Sequence, residues 1–456
     1  GAVLRLAFAG QTVPLVAAPR APEPGEGVRA FDWDFAKHQR PVDSARYEGV
    51  VRSPAGTGGV LEALIGGDSL RVHWPLLVFA ADSTPTVVEL SDDPRGAGST
   101  DRLVPGRAIP GGSYHWLFPN GTRALVSGRM NDELRLHLAE GLDAWVPYAE
   151  ALPLPAGLPP PRGRVGSLTI SEAPTMAAVR IPVGERLPFL VSESDRRLTL
   201  TVYGAGGDVN WIRYGAADSL VRRVGWRQEA SDCLRLEFEL TRPLWGYRAR
   251  WLGTDLLIEI RRPPPIDGSA PFRGRLIVVD PGHPPLGATG PTGLREADAN
   301  LAVARELARL LEEGGARVLL TRTADVPVDL AQRVRLADSV NADLLVSVHQ
   351  NALPDGLNPF TNTGASVFYN HPRSLPLARA IQDRLVERLG VRDLGVGRGD
   401  LALARATWMP AVLTEGLHII MPDQEAALRS ERGRGLYARA VFEGVKDFLK
   451  AVSSEQ

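Results

Sequence analysis

Leu276-Ile277-Val278-Val279-Asp280, running straight into Pro281-Gly282-His283, is the stretch on which the reading of this chain turns. It is apolar up to its terminal aspartate and closed by a Pro-Gly turn, which is the form of a strand buried on both faces. Downstream, Leu301, Ala304, Leu307, Leu310 and Leu311 recur at helical spacing and stop at Gly314-Gly315, and Arg317 to Thr321 is again of strand length. Together these predict a strand–helix–strand unit. The alternation continues with a helix over 329–339, strands over 343–349 and 365–369, and a helix over 375–389. A strand over 411–415 and a last helix near 435–449 complete it. Strands alternating with helices predict an α/β domain over 272–452, with a mainly parallel twisted sheet covered by helices.

Upstream of 272 the pattern changes. Proline-rich runs at 152–162 and 261–268 cannot continue a sheet ladder and read as stiff linkers. They set off residues 1–152 and 163–262, both built of short alternating runs such as Leu134 to Leu138 and Asp255 to Ile260, separated by turn signals such as Asn120-Gly121. Both are expected to be all-β, so the chain is expected to be multidomain: two all-β domains followed by one α/β domain.

Composition narrows the function. Hydrophobic residues make up 44% and charged residues 23%, which is a globular balance and excludes wholesale disorder. Lys and Arg number 52 against 53 Asp and Glu, a net charge of −1, so no nucleic-acid partner held by bulk electrostatics is expected. The longest apolar run, Trp74 to Ala81, is too short to span a membrane. The start at Gly1, without methionine, is the pattern left by a removed export signal or a tag. Cys233 is alone and is expected to be a buried, inert thiol.

In an open α/β sheet, ligands bind beyond the carboxyl ends of the strands. The predicted strands deliver His283, His349 and Glu415 to that rim, and Glu296 opens the first helix on the same side. Two imidazoles and a carboxylate suit one Zn²⁺ with an open fourth position, and a second carboxylate suits proton transfer. His283, Glu296 and His349 are therefore expected as ligands and Glu415 as general base and acid.

These residues also carry a resemblance. Val279-Asp280-Pro281-Gly282-His283, Glu296, Asn300, Leu320-Thr321-Arg322, Ser347-Val348-His349-Gln350-Asn351-Ala352, Gly364 to Tyr369 and Leu403 to Gly416 resemble the zinc-dependent N-acetylmuramoyl-L-alanine amidases in order and approximate spacing. The resemblance implies a peptidoglycan hydrolase that cuts the amide between N-acetylmuramic acid and L-alanine, exported to the periplasm or cell envelope. It places His283, Glu296 and His349 on the family's ligand positions and Glu415 on its catalytic glutamate. A silent peptidoglycan-binding or regulatory protein on the same fold, or another zinc-dependent envelope peptidase, are the rival readings; an envelope-protein partner is left open.

The chain departs from the family where Pro284-Pro285 replaces the usual Gly-Gly after the first ligand, and where an aspartate is missing from 286–290. Arg405 matches a position where the family often has arginine, with a substrate-carboxylate contact and a structural ion pair both open. Asn351 is read as a loop tether or a substrate contact. His418 reads as a packed or rim histidine and His371 as a solvated loop residue. Tyr369 passes to the next helix without the long insertion that blocks zinc in some division amidases. Upstream, residues about 100–150 resemble an SH3-like wall-binding module, with Trp116 and Trp145 expected in its core. Residues 163–262 weakly resemble the envelope-targeting β domain that precedes many such amidases. His73-Trp74 and His115-Trp116 read as core edges.

Overall fold

A computed structural model describes residues 4–8, 11–17, 47–48, 59–65, 68–74, 85–94, 102–215, 220–353 and 357–455. The C-terminal part is built from β1 (Leu276–Pro281), α1 (Glu296–Glu313), β2 (Arg317–Leu320), α2 (Leu330–Ser339), β3 (Leu344–Asn351), α3 (Pro359–Asn362), β4 (Ala365–Tyr369), α4 (Leu375–Leu389), β5 (Asp393–Arg398), β6 (Ala411–His418), α5 (Pro422–Arg429) and α6 (Glu431–Ser454). The last helix begins earlier than its apolar spacing predicts, because the Ser430 hydroxyl caps it by accepting from the Gly433 amide at 2.9 Å. Helix α5, which has few apolar residues, is not legible from periodicity.

The six strands lie in the order β2-β1-β3-β6-β4-β5. Neighbours β1–β2, β1–β3, β3–β6 and β4–β5 are parallel, whereas β4 is antiparallel to β6. Strands β4 and β5 therefore run against the other four, and the loops that follow them leave from the edge where β6 begins. Period-two alternation feeds two cores. Ile277, Val279, Leu344, Val346 and Val348 join α1, α4 and α6 on one face. Val278 and Leu345 join Ala337 of α2 and the segment Leu403–Met409 on the other.

Residues 163–262 form two main sheets, one of five strands and one of four, and a two-stranded sheet of Gly163–Val165 and Ala205–Gly207. Leu168, Val179 and Ile258 of the first and Leu200, Leu236 and Phe238 of the second close a common core. Cys233 opens one of these strands half-buried, and burial pushes its thiol up. A further sheet of seven strands spans Val87–Leu90 to Ala151–Pro153. Its last strand includes Leu152-Pro153, which sequence alone assigns to a linker. That strand lies at the sheet's edge, where a proline costs no ladder bond on its outer side. Trp116 is buried in this sheet's core, whereas Trp145 is half-exposed on its outer face beneath Arg135. A four-stranded sheet of Leu4–Phe8, Gln11–Pro14, Gly59–Ile65 and Asp68–Trp74 lies further upstream. The side chains of His73 and Trp74, and residues 75–81, lie outside the described residues.

The β units dock on the edge of the α/β sheet where β1, β3 and β6 begin. Arg261 donates to Asp343 Oδ1 at 2.7 Å, just ahead of β3. Gly246 lies so close to Trp408 that a Cβ there would stand 2.0 Å from the Trp408 carbonyl oxygen. His371, expected in solvent, sits in this junction instead. Its Nε2 is 3.0 Å from the Arg405 carbonyl oxygen, its ring meets Tyr247 edge-on, and the buried ion pair of Arg373 and Glu193 lies alongside. Burial, aided by the Arg373 charge, pulls its pKa down to about 4. The unfolded chain, with an ordinary histidine near 6.5, then binds a proton that the folded chain refuses. Stability contributed by neutral His371 is complete above 6.5 and lost as the pH falls toward 4, by about 3 kcal/mol. Denaturant melts at pH 7.5 and 4.5 should show wild type losing about that much more than His371→Gln; parallel losses would refute the assignment.

Candidate active site

A single row across three adjacent strands builds the centre of the site. His349 on β3 is paired with Glu415 on β6, and Glu415 with Ser366 on β4. Residues opposed in this way place their side chains on the same face. The row continues toward β1 at Gly282, whose amide donates to the Val348 carbonyl at 2.9 Å. Gly282 has to lack a side chain, because a Cβ there would stand 2.2 Å from His349 Cε1.

Glu296, at the first position of α1, is buried and reaches both histidines. Its Oε2 lies 3.2 Å from His283 Nε2 and its Oε1 3.1 Å from His349 Nδ1. The three donor atoms fall within 4.8 Å of one another, the one such group of His, Cys, Asp or Glu found among the described residues. Two donors at 2.0–2.1 Å from one tetrahedral zinc stand about 3.3 Å apart, so the set has the chemistry and the spacing of a metal site. His283 Nδ1 lies 3.1 Å from the Pro285 carbonyl oxygen, a hydrogen bond that turns Nε2 toward the other two donors. Glu296 is fixed in turn by the Ala288 amide (3.0 Å), the Gln350 amide (3.2 Å) and Asn300 Nδ2 (3.2 Å). Burial pushes the Glu296 carboxyl up, but the hydrogen bonds from His283 and His349 outweigh it and hold it well below the usual carboxylate range.

Glu415 Oε2 is buried and has no hydrogen-bond partner. Burial, and then the charge of Glu296, pushes this carboxyl well above its ordinary value. A strand end behind it is braced by Tyr437 of α6, whose hydroxyl donates to the His349 carbonyl at 3.0 Å and accepts from the Gly416 amide at 2.9 Å. Sequence reasoning passed over Tyr437, which reads as ordinary helix core.

Other expected residues fall elsewhere. Arg405 precedes β6, at the edge opposite the rim that bears Glu415 and His418, because β4 and β5 run backwards. It pairs with Asp400 at 2.6 Å and lies over the Tyr114 ring of the seven-stranded sheet, 5.2 Å from its centroid. Of the two readings open for Arg405, the structural ion pair is the one its side chain makes. Asn351 ends β3, and its carbonyl accepts from the Ile419 amide at 3.0 Å, tying two rim segments together. His418 is fully buried; its Nδ1 accepts from the Gly364 amide at 3.4 Å, and burial lowers its pKa to about 4.

The family model for N-acetylmuramoyl-L-alanine amidases (Amidase_3) matches residues 277–447. The chain is 32% identical over 182 residues to the N-acetylmuramoyl-L-alanine amidase LytC of Bacillus subtilis, covering 40% of this chain and 36% of that protein. It is 30% identical over 185 residues to the probable cell wall amidase LytH of Staphylococcus aureus, covering 40% and 60%. The match thus spans little more than a third of one relative and three-fifths of the other. Among solved structures, the amidase AmiC2 of Nostoc punctiforme is similar at 30% identity over 38% of this chain and 97% of that one, with a TM-score of 0.36. An amidase from Clostridium difficile 630 is similar at 31% identity over 38% and 96%, also with a TM-score of 0.36. The part of the chain that holds His283, Glu296, His349 and Glu415 belongs to the N-acetylmuramoyl-L-alanine amidase family.

Proposed function

We propose that this chain is an exported, zinc-dependent peptidoglycan hydrolase that cuts the amide between the lactyl group of N-acetylmuramic acid and L-alanine of the stem peptide. The observation that carries the reading is the meeting of His283, Glu296 and His349 within 4.8 Å, in a row shared with the buried carboxyl of Glu415. Those three residues would hold one Zn²⁺, which when bound supplies a Lewis acid and lowers the pKa of water to about 7. Glu415 accepts the proton that the attacking water gives up and returns it to the nitrogen of the departing alanine. Asn300, Gln350 and the Ala288 amide keep Glu296 from swinging away while the charge at the site changes.

Residues 1–152 and 163–262 serve localisation in this reading, the first through its SH3-like sheet, with 272–452 as the catalytic part. No described helix is long and apolar enough to cross a membrane. Only Asn370 to Ser374 separate β4 from α4, so no helix inserted there covers the metal site, and activity without an activator follows.

The test is digestion of purified peptidoglycan by the full chain, with mass spectrometry of what is released. Free peptides with alanine at the amino end, lost when a chelator is added and restored by zinc, are expected. Products with a cut inside the peptide would point to an envelope peptidase. Intact sacculi that retain the protein would point to a silent binding protein.

A further inference from the structure

The loop that carries His283 has few tethers of its own. Pro281, Pro284 and Pro285 have no amide hydrogen to donate. His283 itself adopts a φ of 56°, in the left-handed region that a side chain beyond glycine rarely occupies without outside support. Apart from the Gly282 amide, which donates to the Val348 carbonyl, the loop is held through its carbonyl oxygens.

Arg333 of α2 does most of the holding. It is 2% exposed, and its Nε donates to the Val328 carbonyl at 2.9 Å. Nη1 donates to Asp280 Oδ1 at 2.9 Å and to the Pro281 carbonyl at 2.8 Å. Nη2 donates to the carbonyls of His283 at 3.2 Å and Pro284 at 2.8 Å. These contacts occupy all five N–H groups of the guanidinium. Asp280 is anchored independently by the hydroxyls of Ser347, at 2.6 Å, and Thr321. From the other side Arg322, also buried, donates to Pro281 O at 2.9 Å and Gly282 O at 3.0 Å, with further bonds to the Ala297 and Ala324 carbonyls.

We propose that Arg333 is a positioning residue for the metal centre, fixing the 281–284 backbone so that His283 Nε2 faces Glu296 and His349. The proposal rests on the metal-site reading given above. Two of the five bonds fall on the ligand residue's own carbonyl and on the next one, where an arginine serving stability alone would have no reason to concentrate them. Lysine can keep the charge opposite Asp280, but its single nitrogen cannot span four carbonyls and a carboxylate. Arg333→Lys therefore separates the charge from the geometry.

The experiment measures zinc affinity of the full chain by competition with a chromophoric chelator, alongside melting of the metal-free forms. Arg333→Lys is expected to bind zinc about 10- to 100-fold more weakly than wild type, as outer-shell losses commonly do. Arg322→Lys loosens the Pro281 and Gly282 carbonyls, which Arg333 and Asn300 also hold, and leaves the ligand's own carbonyl untouched, so it should weaken binding less, by about threefold or more. A folded Arg333→Lys that melts lower but binds zinc like wild type would overturn the proposal and leave Arg333 a purely structural residue. If Arg333→Lys does not fold, Arg322→Lys decides, and unchanged affinity there overturns it. His349→Ala keeps the two readings apart. Zinc binding by wild type that His349→Ala abolishes upholds the metal site whatever Arg333 does, whereas no zinc binding by wild type sinks both.

Discussion

Glu415→Gln should lower kcat on peptidoglycan by about 10²- to 10⁴-fold, the usual worth of a positioned general acid–base group, while zinc affinity stays near that of wild type. Glutamine keeps the shape of the side chain but can neither accept nor return the proton. The three donor residues lie on β1's exit loop, α1 and β3, and none of them bonds to Glu415. Stability should move the other way. Glu415 is held well above its ordinary pKa by burial and by the Glu296 charge, so ionising it at neutral pH costs the folded state. The metal-free variant should therefore melt at the same temperature as wild type or higher, an exchange of stability against activity that is common at active sites. Loss of zinc together with activity would instead make Glu415 part of the metal's support.

Gly282→Ala should disable the site by a different route. The added Cβ would lie 2.2 Å from Cε1, 2.3 Å from Nε2 and 2.6 Å from Nδ1 of His349, where real contacts do not occur. The ring cannot retreat without breaking its 3.1 Å contact with Glu296, and the Gly282 backbone is held by Asn300 and Arg322 through its carbonyl. Overpacking of this kind costs about 1–3 kcal/mol. Here it falls on a donor residue, so zinc affinity should drop about 10- to 100-fold and activity with it. Gly166→Ala is the control, since a Cβ there meets nothing within 4 Å. Equal zinc affinity in both variants would show that His349 does not need the space over Gly282.

Legibility in the sequence followed the range of the interactions. Apolar runs and their punctuation report on neighbours a few residues away, so the strand before His283, the helix opened by Glu296 and the strand ending at His349 could be read directly. The rule that ligands meet at strand carboxyl ends then brought His283, Glu296, His349 and Glu415 to one rim. Arg405 was reached only through its match to a family position, which does not record that β4 and β5 run against β6 and leave it on the opposite edge, paired with Asp400. His371 was misread for a related reason: a histidine after a strand looks solvated until the sheet of residues 163–262 packs over it. Arg333 gave only a faint sign, sharing the inward face of its helix with Ala337 four residues on.

By itself, then, the sequence determined which residue types reach the rim and that two β-rich regions precede an α/β part, because strand and helix periods and strand-end chemistry are written locally. Only the tertiary structure decided the direction of β4, the bare glycine beneath His349, the two arginines that hold the proline loop by its carbonyls, and the edge on which the β units dock. Each of these depends on contacts between segments dozens to hundreds of residues apart, and such contacts exist only once the chain has closed on itself.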